Sequence, residues 1–176
     1  MYKIHKLLLR MKKIRNPWQE LAQEGYNCFG CAQHNPYGLK MEFYEDGDEV
    51  VSHWAPHSNF QSWLHTLHGG IQATLLDEIG MWFVSRKLQT SGVTSNLNIR
   101  YRKHVPAGEG VLLEVRARLK SQRRNLVEME GEIRYNGEIC TTAEITYFCV
   151  SPQKAREEFY FRGCVLEEEA ADQPQE

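Results

Sequence analysis

The sequence has little net charge, no long hydrophobic run and no paired pattern of cysteines. Its 21 Lys and Arg residues nearly balance 23 Asp and Glu residues, which gives a net charge of −2 and a pI near 6.4. This balance provides no general attraction to nucleic acid or to a membrane surface. No apolar stretch approaches the ~20 residues of a membrane-spanning helix, and five cysteines are an odd number without the spacing of a disulfide framework. We therefore expect a cytoplasmic protein that binds neither nucleic acid nor membrane.

The length and composition predict a single globular domain with an extension at each end. A chain of 176 residues, of which 41% are hydrophobic, can bury an ample core. We assign residues 25–152 to the main domain and predict that the N-terminal extension, residues 1–24, is helical. The C-terminal extension, residues 153–176, ends in an acidic stretch from residue 167 onward that we expect to be disordered.

The segment 67–82, LHGGIQATLLDEIGMW, is the most distinctive part of the sequence. Its apolar residues cover nearly all sides of a helical wheel, which is typical of a helix enclosed by other structure. Asp77 is the exception, because a carboxylate in apolar surroundings is costly unless it is hydrogen-bonded or has a chemical task. At the start of the helix, Gly69 and Gly70 lie where N–H groups have no partner within the helix. A carbonyl oxygen or an anion can be held there.

The rest of the pattern is that of β-strands. Alternating apolar residues and turn signals mark these segments, and the Asn136-Gly137 dipeptide is the strongest short hairpin signal. Because strands and helices do not alternate, a parallel sheet is not indicated. The sequence thus predicts an α+β fold with about five antiparallel strands around one long helix. The segments predicted as strands are 39–43, 50–54, 93–105, 111–119 and 126–150, the last of them folded back on itself.

Cys28 and Cys31, with His34 nearby, have the spacing of half a zinc site. Zinc needs four ligands, and the chain contains no second CxxC or HxxxH pair. A redox motif is also disfavoured, because the pair does not open a helix after a strand. We expect structural cysteines near a turn and no metal.

Four segments, in this order and spacing, resemble the hotdog-fold acyl-CoA thioesterases of the phenylacetate-pathway and mammalian thioesterase-superfamily type. One is the His-Gly-Gly sequence with an acidic residue nine positions after the His, from His68 to Asp77. The resemblance covers roughly residues 25–150 and implies the hotdog fold, a two-fold dimer, and acyl-CoA as the substrate. The other three segments are CFGCAQHNPYGLKMEF at 28–43, TSNLNIRYRKHVPAGEG at 94–110 and LKSQRRNLVEMEGEI at 119–133.

The distance between Gly69 and Asp77 along the helix also predicts a dimer. Asp77 lies eight residues beyond Gly69, so the two are about 12 Å apart along one helix, and one thioester cannot touch both. A two-fold-related copy with its helix antiparallel alongside would bring Gly69 of one chain to Asp77 of the other. We therefore expect a homodimer, or a dimer of such dimers.

In that dimer each group has an expected role. The Gly69 N–H polarises the thioester carbonyl and holds the oxyanion, and Asp77 either activates water as a general base or attacks the carbonyl itself. In similar enzymes the residue that aligns with Thr94 orients the water or the carboxylate. His68 fixes the turn by hydrogen bonding. Glu78 is the second choice for the base, because it points about 100° away on the helical wheel.

The remaining site residues are expected to bind substrate. Gly70 and Asn96 are two of them. Arg123 and Arg124 lie in the SQRRN turn, which in the resembling thioesterases is near the nucleotide end of coenzyme A, where arginine matches phosphate charge. No cofactor is expected beyond the coenzyme A of the substrate.

Two other functions fit the same pattern. A hotdog dehydratase or hydratase acting on acyl thioesters would use a His–carboxylate pair, but His68 is at the wrong end of its own helix. A non-catalytic acyl-CoA binding module would keep the pocket and the arginines without turnover. A purely structural alternative also exists, in which the two glycines allow close packing and Asp77 makes a hydrogen bond at the dimer interface.

Overall fold

One long helix lies against a seven-stranded antiparallel sheet in the computed structural model, which describes residues 11–171. The strand order is β1-β2-β3-β5-β6-β7-β4, so β4 forms one edge of the sheet. The strands are β1 Lys12–Lys13, β2 Tyr44–Asp46, β3 Glu49–Trp54, β4 Gly92–Tyr101, β5 Leu113–Arg123, β6 Leu126–Tyr135 and β7 Glu138–Cys149. The helices are α1 Gly69–Leu88, α2 Pro152–Phe159 and α3 Glu167–Ala171, with 3-10 turns at Gln19–Glu24 and Ser58–Phe60.

Helix α1 packs closely on the inner face of the sheet because two glycines remove side-chain bulk at the contact. A Cβ on Gly131 of β6 would stand 3.0 Å from Leu76, and a Cβ on Gly80 of α1 would stand 3.0 Å from the Tyr147 ring. Leu76 and Tyr147 are almost fully buried as a result. None of the described helices is long and apolar enough to cross a membrane.

The edge strand β4 pairs with β7 and carries a bulge. Thr94 is opposite Tyr147, but the next paired residue is Asn96, opposite Thr146, so Ser95 is an extra residue in the strand. After the bulge the pairing continues regularly to Tyr101. Within residues 11–171, the other edge of β4 has no strand partner.

The segments on either side of the main domain join the same core. The Arg15 N–H donates to the carbonyl of Val165 at 2.9 Å, and Trp18 Nε1 donates to the carbonyl of Phe159 at 3.0 Å. The tail is anchored too, since Glu169 accepts hydrogen bonds from Arg86 of α1.

These contacts correct two expectations about the extensions. Among residues 11–24 of the N-terminal extension, Lys12–Lys13 pairs with the free edge of β2, and the helical part is the 3-10 turn at Gln19–Glu24. Residues 167–171 form a short helix rather than a disordered tail, since Glu169 pairs with Arg86. Residues 1–10 and 172–176 lie outside the described residues.

The predicted α+β hotdog class is confirmed, with seven strands instead of about five. The Asn136-Gly137 hairpin is present, with positive φ at both residues, 51° and 82°. Segment 39–43 is not a strand. Its residues Leu39, Met41 and Phe43 are nonetheless buried, and the strand that pairs with β3 starts only at Tyr44.

Candidate active site

The start of α1 leaves one N–H group unpaired. His68 is the N-cap residue, and its Nδ1 accepts a hydrogen bond from the Gly70 N–H at 2.9 Å. Among residues 11–171 no acceptor is found for the Gly69 N–H. The Tyr101 hydroxyl donates to the Gly69 carbonyl at 3.0 Å, which ties this turn to the end of β4. A helix start with a free N–H and the positive end of the helix dipole is suited to hold a developing negative charge.

This geometry confirms the expected hydrogen bond of His68 and limits what Gly70 can offer a ligand. His68 fixes the turn by hydrogen bonding, as predicted. Gly70, predicted to bind substrate, has its N–H occupied by the His68 side chain, so that donor is not available to a ligand. The cause is the local geometry of the cap, in which a side-chain acceptor at the N-cap satisfies an N–H of the first turn.

Eight residues further along the helix, the Asp77 carboxylate is held by two hydroxyl groups. Thr94 Oγ1 of β4 donates to Asp77 Oδ1 at 2.6 Å. The Tyr147 hydroxyl of β7 lies 2.6 Å from the Asp77 carbonyl oxygen and 3.2 Å from Oδ1. Both contacts reach Oδ1, so Oδ2 has no donor within the described part of the chain. The carboxylate is thus oriented through one oxygen and free to react through the other.

Tyr147 is a site residue that the sequence analysis did not identify. Its side chain is nearly buried, and burial together with the neighbouring Asp77 charge raises the pKa of its hydroxyl. The signal was present in the sequence, because a buried tyrosine on an alternating strand needs a partner for its hydroxyl. Which partner it finds depends on the packing of β7 against α1, which the sequence pattern does not specify.

Gln72 is a second residue that was not anticipated. It is buried, its Nε2 donates to the Leu67 carbonyl at 3.2 Å, and its Oε1 accepts from Thr141 Oγ1 at 2.6 Å. These bonds fix the first turns of α1 to β7. Gln72 therefore positions the helix start that carries the Gly69 N–H.

The structure does not bring Asn96 to the Asp77 carboxylate. Thr94 faces α1, and without an irregularity Asn96, two residues on, would share that face. The bulge at Ser95 reverses the alternation, so Asn96 lies opposite Thr146 and on the outer face of the sheet. The extra residue thus turns the Asn96 side chain away from Asp77, and a role of Asn96 in substrate binding stays a prediction.

Arg123 and Arg124 lie at the exposed turn between β5 and β6. Arg124 has positive φ, 54°, and within residues 11–171 neither guanidinium has an acidic partner. Val127, near this turn, shares a sheet row with Tyr147 and Thr94. The turn is thus at the same end of the sheet as Asp77. Arg123 on β5 is three strands away from β4, which corresponds to a distance of about 14 Å across the sheet.

Aromatic side chains could line a pocket for an acyl group, but most of those on and before α1 belong to the core. Trp54, Trp82 and Phe83 are each no more than 5% exposed, whereas Trp63 is 80% exposed. Phe60 is partly buried against the core. Trp63 and Phe60, in the loop before α1, are the two that remain accessible for contact with a bound acyl group.

A helix packed on an antiparallel sheet, with a free N–H at the helix start and a held carboxylate in its middle, defines the class of α+β hotdog-fold proteins with a polar site on the central helix. Residues 64–142 match the family model of the thioesterase superfamily. That segment includes Gly69, Asp77 and Thr94. A search among curated proteins found no match for the chain.

Solved structures of similar proteins share this fold. One thioesterase superfamily protein superposes with a TM-score of 0.62 at 22% identity, over 69% of this chain and 62% of its own, so the present chain spans less than two thirds of that protein. A Streptococcus mutans protein bound to acetyl-CoA gives 0.59 at 18% identity, over 72% and 94%. A hypothetical thioesterase with coenzyme A from Streptococcus pneumoniae gives 0.57 at 24% identity, over 63% and 89%. The hotdog fold implied by the resemblance is confirmed, and the match of residues 64–142 to the thioesterase superfamily model agrees with the family that the resemblance named.

Proposed function

We propose that the protein is a thioesterase that hydrolyses acyl-coenzyme A to a free acid and coenzyme A. The observation that carries the proposal is the pairing on α1 of an unpaired Gly69 N–H with an Asp77 carboxylate oriented by Thr94. The first is a donor for an oxyanion, and the second is a base or nucleophile. The superfamily match of residues 64–142 supports the same chemistry.

The proposed site is formed between two copies of the chain. On β4, Tyr101 lies beside Gly69, to which it donates a hydrogen bond, and Thr94 lies beside Asp77. If β4 pairs antiparallel with β4 of a second copy over its whole length, 92–101, then Thr94 lies within two residues of Tyr101 of the copy. This pairing brings Asp77 of one chain to the level of Gly69 of the other, and it uses the free edge of β4.

In this dimer the hydrolysis proceeds by addition and elimination. The Gly69 N–H binds the thioester carbonyl oxygen, and water adds to the carbonyl carbon as Asp77 accepts its proton. The tetrahedral intermediate then expels coenzyme A as a thiolate, which takes up a proton. Removal of one such oxyanion donor commonly costs about 2.7–4 kcal/mol of transition-state stabilisation. In the alternative route, Asp77 attacks the carbonyl carbon directly and water hydrolyses the resulting anhydride.

The proposal is tested by incubating the purified protein with a panel of acyl-CoAs of different chain length and with aromatic acyl-CoAs. Release of free thiol, followed with a thiol-reactive chromophore, is the expected result. Mass spectrometry of the same samples would show a dehydratase as a change of 18 mass units in the acyl group with the thioester intact. Binding of acyl-CoA without either change would identify a non-catalytic module and refute hydrolysis.

We also propose that Arg123 and Arg124 bind the phosphates of coenzyme A. Their turn lies on the Asp77 side of the sheet, about 14 Å across the strands from β4, and a pantetheine arm separates the nucleotide from the thioester. The similar proteins from Streptococcus mutans and Streptococcus pneumoniae are described as bound to acetyl-CoA and to coenzyme A. Arginine side chains without acidic partners are suited to bind phosphate.

Arg123→Ala combined with Arg124→Ala is expected to raise KM for acyl-CoA about tenfold or more while changing kcat little. Phosphate contacts remote from the thioester are made equally in the ground and transition states, so they act on binding. With an acyl-pantetheine substrate, which lacks the nucleotide, the variant and the wild type should have similar KM values. Arg156→Ala, on the exposed side of α2, serves as the control. An equal effect on both substrates would show that the two arginines do not contact the nucleotide.

A further inference from the structure

A second polar cluster lies on another side of α1. Cys28 Sγ is 3.7 and 3.8 Å from the two carboxylate oxygens of Glu78, and ligand atoms of Cys28, Cys31 and Glu78 all lie within 4.8 Å of one another. The hydrogen bond from Cys31 lowers the pKa of Cys28 to about 5. Burial, and next the negative charge at Cys28, raises the pKa of Glu78 to about 7. Adjacent helix residues project about 100° apart, so this cluster is separate from Asp77.

The turn between Cys28 and Cys31 packs closely against Glu78 of α1. A Cβ on Gly30 would stand only 2.3 Å from the Glu78 carboxylate, so a larger residue there would displace the Glu78 side chain from Cys28. The Phe29 and Gly30 carbonyls accept hydrogen bonds from the N–H groups of Leu39 and Met41, which holds the turn in place. The three ligand groups are therefore preorganised by backbone contacts that are independent of any bound ion.

The separation of Cys28 and Glu78 matches that of two ligands of one zinc ion. Bond lengths of about 2.3 Å to sulfur and about 2.0–2.2 Å to oxygen, at a tetrahedral angle, place the two ligand atoms about 3.5–3.7 Å apart. The Cys28–Glu78 distances are already close to this value. Outer contacts are present as well, because Trp82 Nε1 donates to Glu78 at 3.1 Å and the Tyr26 hydroxyl lies 3.0 Å from Cys31 Sγ. Such partners orient the ligands of metal sites.

The surroundings favour a cation. The cluster faces a cleft of about 500 Å³, and three of the described residues that line this cleft are acidic while none is basic. A carboxylate that is largely withdrawn from solvent beside thiol groups is costly unless a positive charge pairs with it. The acidic residues are Glu24, Glu78 and Glu158, and the aromatic ones are Trp18, Tyr26, Trp82, Phe159 and Tyr160.

We propose that Cys28, Cys31 and Glu78 bind a zinc ion, with the fourth coordination position open to the aromatic cleft. Thiolate ligands select zinc over the harder magnesium and calcium ions. The sequence analysis expected no metal because a second ligand pair is missing, but Glu78, 50 residues from Cys28 along the chain, supplies the third ligand. The bound ion would link the turn at residues 28–31 to α1 and stabilise the folded state.

The test uses the full-length protein, stripped of metal with a chelator and kept in a phosphine reductant so that both cysteines stay reduced. Titration with Co²⁺ is expected to give a thiolate-to-cobalt charge-transfer band and tetrahedral d–d bands that saturate at one ion per chain, and Zn²⁺ should displace the cobalt. Zn²⁺ should also raise Tm, because a ligand that binds only the folded state stabilises it.

Three variants and one control decide the assignment. Cys28→Ser and Cys31→Ser should abolish the charge-transfer band, and the isosteric Glu78→Gln, which can still accept from Trp82, should weaken Co²⁺ binding at least tenfold. Cys140→Ser removes a buried cysteine outside the cluster and should leave both readouts unchanged. The proposal is overturned if the wild type gives no cobalt bands after full reduction. It is equally overturned if the bands persist in Cys28→Ser, or if Zn²⁺ raises Tm to the same extent in all variants.

Discussion

Asp77→Asn is expected to reduce acyl-CoA hydrolysis by about 10²–10⁴-fold, the usual contribution of a positioned acid–base group. The amide oxygen can still accept the hydrogen bonds from Thr94 and Tyr147, so the geometry around α1 should be preserved. Only the capacity to accept a proton, or to attack the carbonyl, is lost. Initial rates of thiol release and circular dichroism spectra of both proteins provide the measurement.

Companion variants separate catalysis from positioning. Thr94→Ala and Tyr147→Phe each remove one donor to the carboxylate, so each should lose less activity than Asp77→Asn. Asp48→Asn, in the exposed turn between β2 and β3, is the control for loss of one negative charge. Turnover near the wild-type rate in folded Asp77→Asn would refute the role of Asp77. A greater loss in Thr94→Ala than in Asp77→Asn would mean that the two roles are reversed.

The second large effect is the recovery of activity on mixing two inactive variants. Gly69→Pro removes the N–H proposed to hold the oxyanion, and proline is well tolerated at the first position of a helix. In a heterodimer with Asp77→Asn, one site receives an intact Gly69 and an intact Asp77, while the other site receives both defects. Random exchange makes half of the dimers mixed, each with one good site of two. Activity should therefore rise to about a quarter of the wild-type value if the interface is isologous.

Two controls make this experiment decisive. Gly69→Ala keeps the N–H, and its Cβ would meet Tyr101 at an ordinary 3.4 Å, so this variant should remain active. Tagged subunits, captured and sized after mixing, show that exchange has occurred. If exchange is complete and no activity returns, Gly69 and Asp77 do not complete one another's site across the dimer.

The elements of the fold were largely predictable from residue patterns. The apolar segment with its His-Gly-Gly start became α1, and Asn136-Gly137 became the hairpin between β6 and β7. Both signals are local, because a helix cap and a two-residue turn depend on a few neighbouring residues. The position of Thr94 beside Asp77 was suggested by the family resemblance, and the structure places the two in hydrogen-bond contact.

The features that were missed depend on contacts distant in sequence or on single irregularities. No local sequence pattern predicts the bulge at Ser95, yet this bulge turns the Asn96 side chain to the outer face of the sheet. Glu78 contacts Cys28 only because the turn at residues 28–31, some 50 residues earlier in the chain, packs over α1. The pairing of Lys12–Lys13 with β2 likewise depends on a strand more than thirty residues away.

The bulge in β4 has a consequence for assembly. A regular edge strand can pair with its copy at several offsets, because every second residue presents the same face. A slip of two residues moves one chain past the other by about 6.6 Å, which is enough to separate Asp77 from Gly69 of the second chain. In the proposed pairing over residues 92–101, the bulge of each chain lies opposite Asn98 of the other chain, and a slip of two residues would move both bulges away from that position. The bulge thus fixes the register of the two β4 strands in the proposed dimer. A chain with Ser95 deleted would form stable dimers in which Asp77 of one chain does not reach Gly69 of the other.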